Sequence, residues 1–184
     1  MNIITKTTQL VHYLALSYLN EESITVDCTC GNGHDTLFLS ENSKFVYGFD
    51  IQQEAIDNTE KLLEENNLHN YKLIKDGHEN IDNYINCKCD IFVFNLGYLP
   101  KSDKKITTMA NTTVAAIDKC LKLLKDGGAI FITAYYGHQN GKIEREEVLS
   151  YLHNIDGQKY MTRKISSIDN EKMPPEIYII TSKN

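Results

Sequence analysis

Three short segments of this chain carry side chains whose types and spacing suit a chemical task. The first is Val26-Asp27-Cys28-Thr29-Cys30-Gly31-Asn32-Gly33-His34-Asp35. Gly31 and Gly33 follow a β-branched run, where missing side chains let the backbone approach a ligand and Asn32 can occupy a turn. Alone, that pattern also fits an ordinary turn. Asp50 ends the next β-branched run 19 positions after Gly31, followed by Ile51 and Gln52. A carboxylate there can accept both hydroxyls of a ribose, so loop and acid together indicate a nucleoside cofactor. A dinucleotide site would place a third glycine at position 36 to admit close helix packing and a pyrophosphate, but Thr36 stands there. S-adenosylmethionine (SAM) has no phosphate, and its methionine ammonium benefits from acids such as Asp27 and Asp35. These residues favour SAM over NAD.

The second segment, Asp76-Gly77-His78, follows a third β-branched run and is placed to contact an adenine, although a polar turn would read the same way. The third is Asn95-Leu96-Gly97-Tyr98-Leu99-Pro100, at the end of an apolar run. An amide oxygen there can accept hydrogens from a substrate nitrogen and orient its lone pair toward an electrophilic methyl, while Tyr98 packs on a planar base. That arrangement suits N-methylation. An alkylamine must also shed a proton before it attacks. Tyr98, His138 or solvent can take it, and the sequence does not choose among them. Leu96, Gly97, Tyr98, Lys101, Lys104, Lys105, Tyr136 and His138 are the candidate substrate contacts, since aromatic rings beside lysines are suited to single-stranded RNA.

These segments need a scaffold that brings strand ends together. Leucines from Leu10 to Leu19 predict a leading helix, and β-branched runs predict strands at Ile24–Cys28, Lys44–Asp50, Tyr71–Lys75, Cys89–Asn95 and Ala129–Ala134. Helices are expected over 31–40, 53–66, 80–84, 112–124 and 142–154, the fourth stopped by Lys125-Asp126-Gly127-Gly128. A final strand pair, 160–168 and 176–181, flanks Met173-Pro174-Pro175. This alternation predicts an α/β fold: a Rossmann-like, doubly wound, mainly parallel sheet of about seven strands with helices on both faces. With no repeat or linker, residues 1–184 read as a single domain.

The composition, 41% hydrophobic and 24% charged, is that of a globular protein, and no apolar run approaches a membrane span. Residues 1–19 lack a small-residue cleavage site, so a cytoplasmic location is expected. The five cysteines, at 28, 30, 87, 89 and 120, lie in or beside strands at spacings unlike those of zinc sites, and read as structural thiols, with no metal expected. The net charge of -6 argues against nucleic acid, yet residues 1–92 hold 15 acids and 6 bases whereas residues 93–184 hold 10 and 13. The C-terminal half can therefore meet phosphates, although solvated lysines give the same tilt.

The chain resembles the small bacterial methyltransferases catalogued as rRNA methylases, a family that includes the tRNA 5-(aminomethyl)uridine methyltransferases. The resemblance rests on Asp27-x-Thr29-x-Gly31-Asn32-Gly33-His34-Asp35-Thr36, the Asn95–Pro100 block with Asp103-Lys104 and Ile106-Thr107-Thr108, Tyr135-Tyr136-Gly137-His138, and Pro174-Pro175. It departs at Lys101-Ser102, where glycines are expected. The resemblance implies SAM contacts from the first segment, Asp50, Gln52, Asp76 to His78 and Asn95. It also implies methylation of the aminomethyl nitrogen of a wobble uridine, often 2-thiolated, in the tRNA anticodon. No DNA or membrane partner is expected, and a homodimer is left open. Rival readings are a methyltransferase of rRNA or another amine or amide, an NAD-dependent oxidoreductase, and a non-catalytic RNA-binding module.

Overall fold

The computed structural model describes residues 4–97, 107–168 and 173–183. The N-terminal leucines form helix α1 (Thr7–Ala15), which tightens into a 3-10 turn at Leu16–Tyr18. Strand and helix then alternate: β1 (Ile24–Asp27), α2 (His34–Glu41), β2 (Phe45–Phe49), α3 (Gln53–Glu65) and β3 (Tyr71–Ile74). A 3-10 segment, His78–Asn83, leads into β4 (Cys89–Leu96), followed by α4 (Ala110–Leu123), β5 (Leu124–Ala134), α5 (Gln139–Asn154), β6 (Tyr160–Ile165) and β7 (Glu176–Ser182).

The seven strands form one sheet in the order β3-β2-β1-β4-β5-β7-β6. β1 pairs parallel with both β2 and β4, and β5 pairs parallel with β4, whereas β7 runs antiparallel between β5 and β6. Strands such as β4 and β5 are apolar along most of their length because both faces are covered. Val11, Ala15, Leu39, Val46, Phe131 and Ile179 pack one face, while Phe49, Phe92, Phe94, Ile117, Val148 and Tyr178 pack the other.

The expected doubly wound α/β fold is the one observed. Element ends shift by a few residues, and two segments differ in kind. Residues 80–84, read as a weak helix, fall in and just past a 3-10 segment, His78–Asn83. Residues 125–128, read as a helix stop and turn, belong to β5, with 125–127 exposed and Gly128 buried, opposite a single residue of β4, since the register passes from Cys89↔Leu124 to Ile91↔Ala129. Gly127 takes a φ of 74° there, and Lys125 Nζ pairs with Asp90 Oδ1 at 2.8 Å across the bulge. Cys28, Cys30, Cys89 and Cys120 are buried, Cys87 is half-buried, and all five are free thiols.

Candidate cofactor and transfer site

The chain winds outward from β1 in one direction to β2 and β3, and in the other to β4 and β5. The carboxyl ends of β1 and β4 therefore flank the switch point, where open α/β sheets bind ligands. Asp27 ends β1 and Asn95 lies at the end of β4. The two strand ends are tied together: the Asn95 N–H donates to Thr29 Oγ1 at 2.7 Å and the Cys28 N–H to the Val93 carbonyl at 2.8 Å.

The glycine loop crosses between β1 and α2. Gly33 caps α2 with a left-handed φ of 80°, and a Cβ there would lie 2.9 Å from Thr59 Cα. Both geometry and space demand glycine. The Gly31 N–H donates to Asp50 Oδ2 at 3.0 Å, and the Gln52 N–H, at the start of α3, to Asp50 Oδ1 at 2.9 Å. Asn32 accepts from Asn58 Nδ2, His34 is exposed, and Ile51 is 56% exposed.

Asp27 is fully buried. Its Oδ1 accepts from the Thr29 N–H at 3.0 Å and its Oδ2 from Thr36 Oγ1 at 2.6 Å. Thr36 thus spends its hydroxyl on the acid of β1 at the position where a dinucleotide site needs glycine. Burial, and next the charge of Asp35, raise the Asp27 pKa to about 7.

Asp35, in the first turn of α2, is also buried. Its Oδ1 takes the Nε2–H of His12 at 2.6 Å and its Oδ2 the side-chain Nδ2 of Asn95 at 3.2 Å. The sequence offered no sign of His12: it lies 23 positions before Asp35, within a leucine stripe that marks only a helix face. Tyr135, just past β5, has its pKa raised by burial and then by the charge of Asp35, which places its phenol within the field of this cluster.

Asp76 holds the Gly77 N–H and Asn80 through Oδ1 and the Tyr84 hydroxyl through Oδ2, which lowers its pKa. His78 turns inward. Its Nδ1–H donates to the Cys28 carbonyl at 3.0 Å, which leaves Nε2 a buried acceptor with no partner among the described residues. Burial holds its pKa below the ordinary imidazole range.

Leu96, an expected substrate contact, is a core side chain at 1% exposure, so only its backbone is left for that role. Gly97 and Thr108 form a clip. The Gly97 N–H donates to Thr108 Oγ1 and the Thr108 N–H to the Gly97 carbonyl, each at 3.0 Å. The Thr108 and Thr113 hydroxyls donate to the buried carboxylate of Glu144 at 2.7 and 2.6 Å. Neither Thr108 nor Glu144 stood out in the sequence as chemistry. His138 caps α5, its Nδ1 accepting from the Gly141 N–H at 3.0 Å, and Arg145 lies 5.0 Å over the ring of Tyr136. Tyr98, Lys101, Lys104 and Lys105 lie outside the described residues.

The donor set fits a cationic nucleoside cofactor. Asp35 and Asp50 hold carboxylates at the switch-point edge with Asp27 buried behind them, and the partners found for the three among the described residues include no lysine or arginine. A pyrophosphate would meet only acids there; an ammonium and a ribose meet acceptors.

Fold and site together define a Rossmann-like methyltransferase. The chain belongs to the family described as "Putative rRNA methylase", whose model matches residues 46–181. A "putative rRNA-methylase" from Clostridium thermocellum is 40% identical with a TM-score of 0.94, over 98% of this chain and 100% of its own. A "putative methyltransferase" from Streptococcus mutans, solved in complex with SAH, is 36% identical with a TM-score of 0.91, over 98% of this chain and 99% of its own. The chloroplastic tRNA (mnm(5)s(2)U34)-methyltransferase of Arabidopsis thaliana is 28% identical over 97% of this chain and 70% of its own.

Proposed function

We propose that this chain is a SAM-dependent N-methyltransferase that converts 5-aminomethyl(-2-thio)uridine to its 5-methylaminomethyl form at the wobble position of tRNA in the cytoplasm. The observation that carries this reading is the Asn95 side chain. Its NH2 is engaged by Asp35, which leaves Oδ1 as the acceptor for a substrate N–H. An amine held by its hydrogen through Oδ1 directs its lone pair elsewhere, and in-line geometry contributes most of what a protein adds to such a transfer.

The cofactor is SAM, which supplies a sulfonium methyl that is already an activated electrophile. In this reading Asp50 would take the ribose hydroxyls, the Asp76 to His78 turn the adenine, and Asp35, backed by the buried Asp27, the ammonium. Bound there, SAM would supply the methyl, and Tyr98, His138 or water would take the proton that the amine sheds. The aminomethyluridine substrate is supported by the Arabidopsis relative and by the Asn95–Pro100 block. Methylation of rRNA or of an amide would use the same clamp, and is the second reading because of the family's description.

The test is nucleoside mass spectrometry. In tRNA from a deletion strain aminomethyluridine accumulates, and purified protein with SAM converts it. Unchanged methylaminomethyluridine in the deletion strain, with no conversion in vitro, would exclude the substrate. Asn95→Ala retains SAM binding in calorimetry and loses about 100-fold or more in transfer; a fully active variant refutes the clamp.

A further inference from the structure

We infer that His12 is a positioning residue for methyl transfer: acting through Asp35, it fixes which end of the Asn95 amide faces the substrate. The inference rests on the reading of Asn95 as the amine clamp. The two ends of an amide are a donor and an acceptor of nearly equal size, so its role depends on what holds it. At Asn95 the holder is Asp35, an acceptor-only group while ionised, which takes Nδ2 and turns Oδ1 away.

Asp35 is in turn held by His12. The imidazole comes from α1, donates from Nε2 to Asp35 Oδ1 at 2.6 Å, and stacks on Phe38 of α2 with centroids 4.0 Å apart and planes 4° apart. The stack sets the plane of the ring and so the direction of its N–H. Without His12, one oxygen of a buried carboxylate loses its donor, and the group is free to turn. A turned Asp35 no longer holds Asn95 Nδ2, and the amide can reverse, presenting NH2 to an amine that needs an acceptor. The other charged or titratable groups whose interactions reach Asp35 are Asp27 and Tyr135. Neither supplies a donor to Asp35 Oδ1 in this structure.

The experiment compares His12→Ala, His12→Gln, Asn95→Ala and the double variant H12A/N95A. It follows kcat and KM on aminomethyluridine-containing tRNA, SAM affinity by calorimetry, and the Asn95 side-chain NH2 signals by 15N–1H NMR, identified by their loss in N95A. H12A is expected to lose about 10-fold to 100-fold in kcat at saturating SAM, so that any weakening of SAM binding through Asp35, which also serves the ammonium, is read separately in the calorimetry. H12Q, whose Nε2 can still donate to Asp35, recovers most of the loss. H12A adds nothing in the N95A background, because the two act through one group. The Asn95 NH2 signals move in H12A and stay in place in H12Q.

Wild-type kcat in H12A, an equal loss on either background, or unmoved Asn95 signals each overturns the role of His12. A fully active N95A instead removes the clamp on which that role rests. Should the wild type not methylate this tRNA, the NMR comparison still decides whether His12 sets Asn95.

Discussion

Asp27 illustrates how much a single buried side chain in this site is asked to bear. It carries a carboxyl at the end of β1, satisfied by one backbone N–H and one hydroxyl, beside a second buried acid. Because its folded pKa is raised from 3.8 to about 7, the folded state binds the proton more tightly than the unfolded chain does. Stability contributed by this group therefore falls as pH rises from about 4 to about 7, and levels off above. Asp27→Asn keeps the shape and cannot ionise. In SAM-free protein the melting temperature of this variant, relative to wild type, is expected to rise between pH 5 and pH 7 and then stay constant; a difference independent of pH would contradict the raised pKa. Side chains such as Asp27, Asp50 and Asn95 were legible because they stand at strand ends, where a change of periodicity marks them. The His12–Asp35–Asn95 chain was not, because its members are 23 and 60 positions apart and meet only when α1 and α2 pack on the same face.

At the scale of elements, the transfer site depends on a clip between β4 and α4. Thr108 accepts one hydrogen bond from Gly97 and donates another to Glu144, so both ends of residues 97–108 are fixed to the sheet edge and to α5. Thr108→Val keeps the shape and breaks both bonds, leaving a buried carboxylate one donor short. It is expected to cost about 1–3 kcal/mol in urea unfolding and to lower methyl transfer while SAM affinity is preserved; an unaltered stability and rate would show the clip to be dispensable. The alternation of strands and helices was readable from residue periodicity alone. The start of β5 was not, because Gly127-Gly128 signals a break equally well for a turn or for a bulge, and only the register with β4 on either side of Asp90 distinguishes them. Of the clip's members, Gly97 and Thr108 were marked only by the motifs they stand in and Glu144 not at all, since buried threonines and glutamates form their bonds across tertiary contacts.

For the molecule as a whole, the charge distribution must be reconciled with an RNA substrate. A net charge of -6 repels polyphosphate at long range, and the acids are concentrated in the half that builds the cofactor loop. The bases concentrate in residues 93–184, with Lys101, Lys104 and Lys105 directly after the Asn95 block, inside the segment whose ends Gly97 and Thr108 hold. Binding that relies on those lysines releases counterions, so log affinity falls linearly with log salt, at a slope near -0.7 per phosphate contacted on single strands. Replacing the three lysines with glutamine is therefore expected to make that slope shallower by about 2 for an anticodon stem-loop, with affinities converging toward wild type at high salt. SAM affinity should not change, because the acceptors assigned to the cofactor lie at the ends of β1 and β2 and in α2. Fluorescence anisotropy across a salt series measures the slope directly. An unchanged slope would remove the lysines from the RNA contact and move the search for it to Tyr136 and the rest of the basic half.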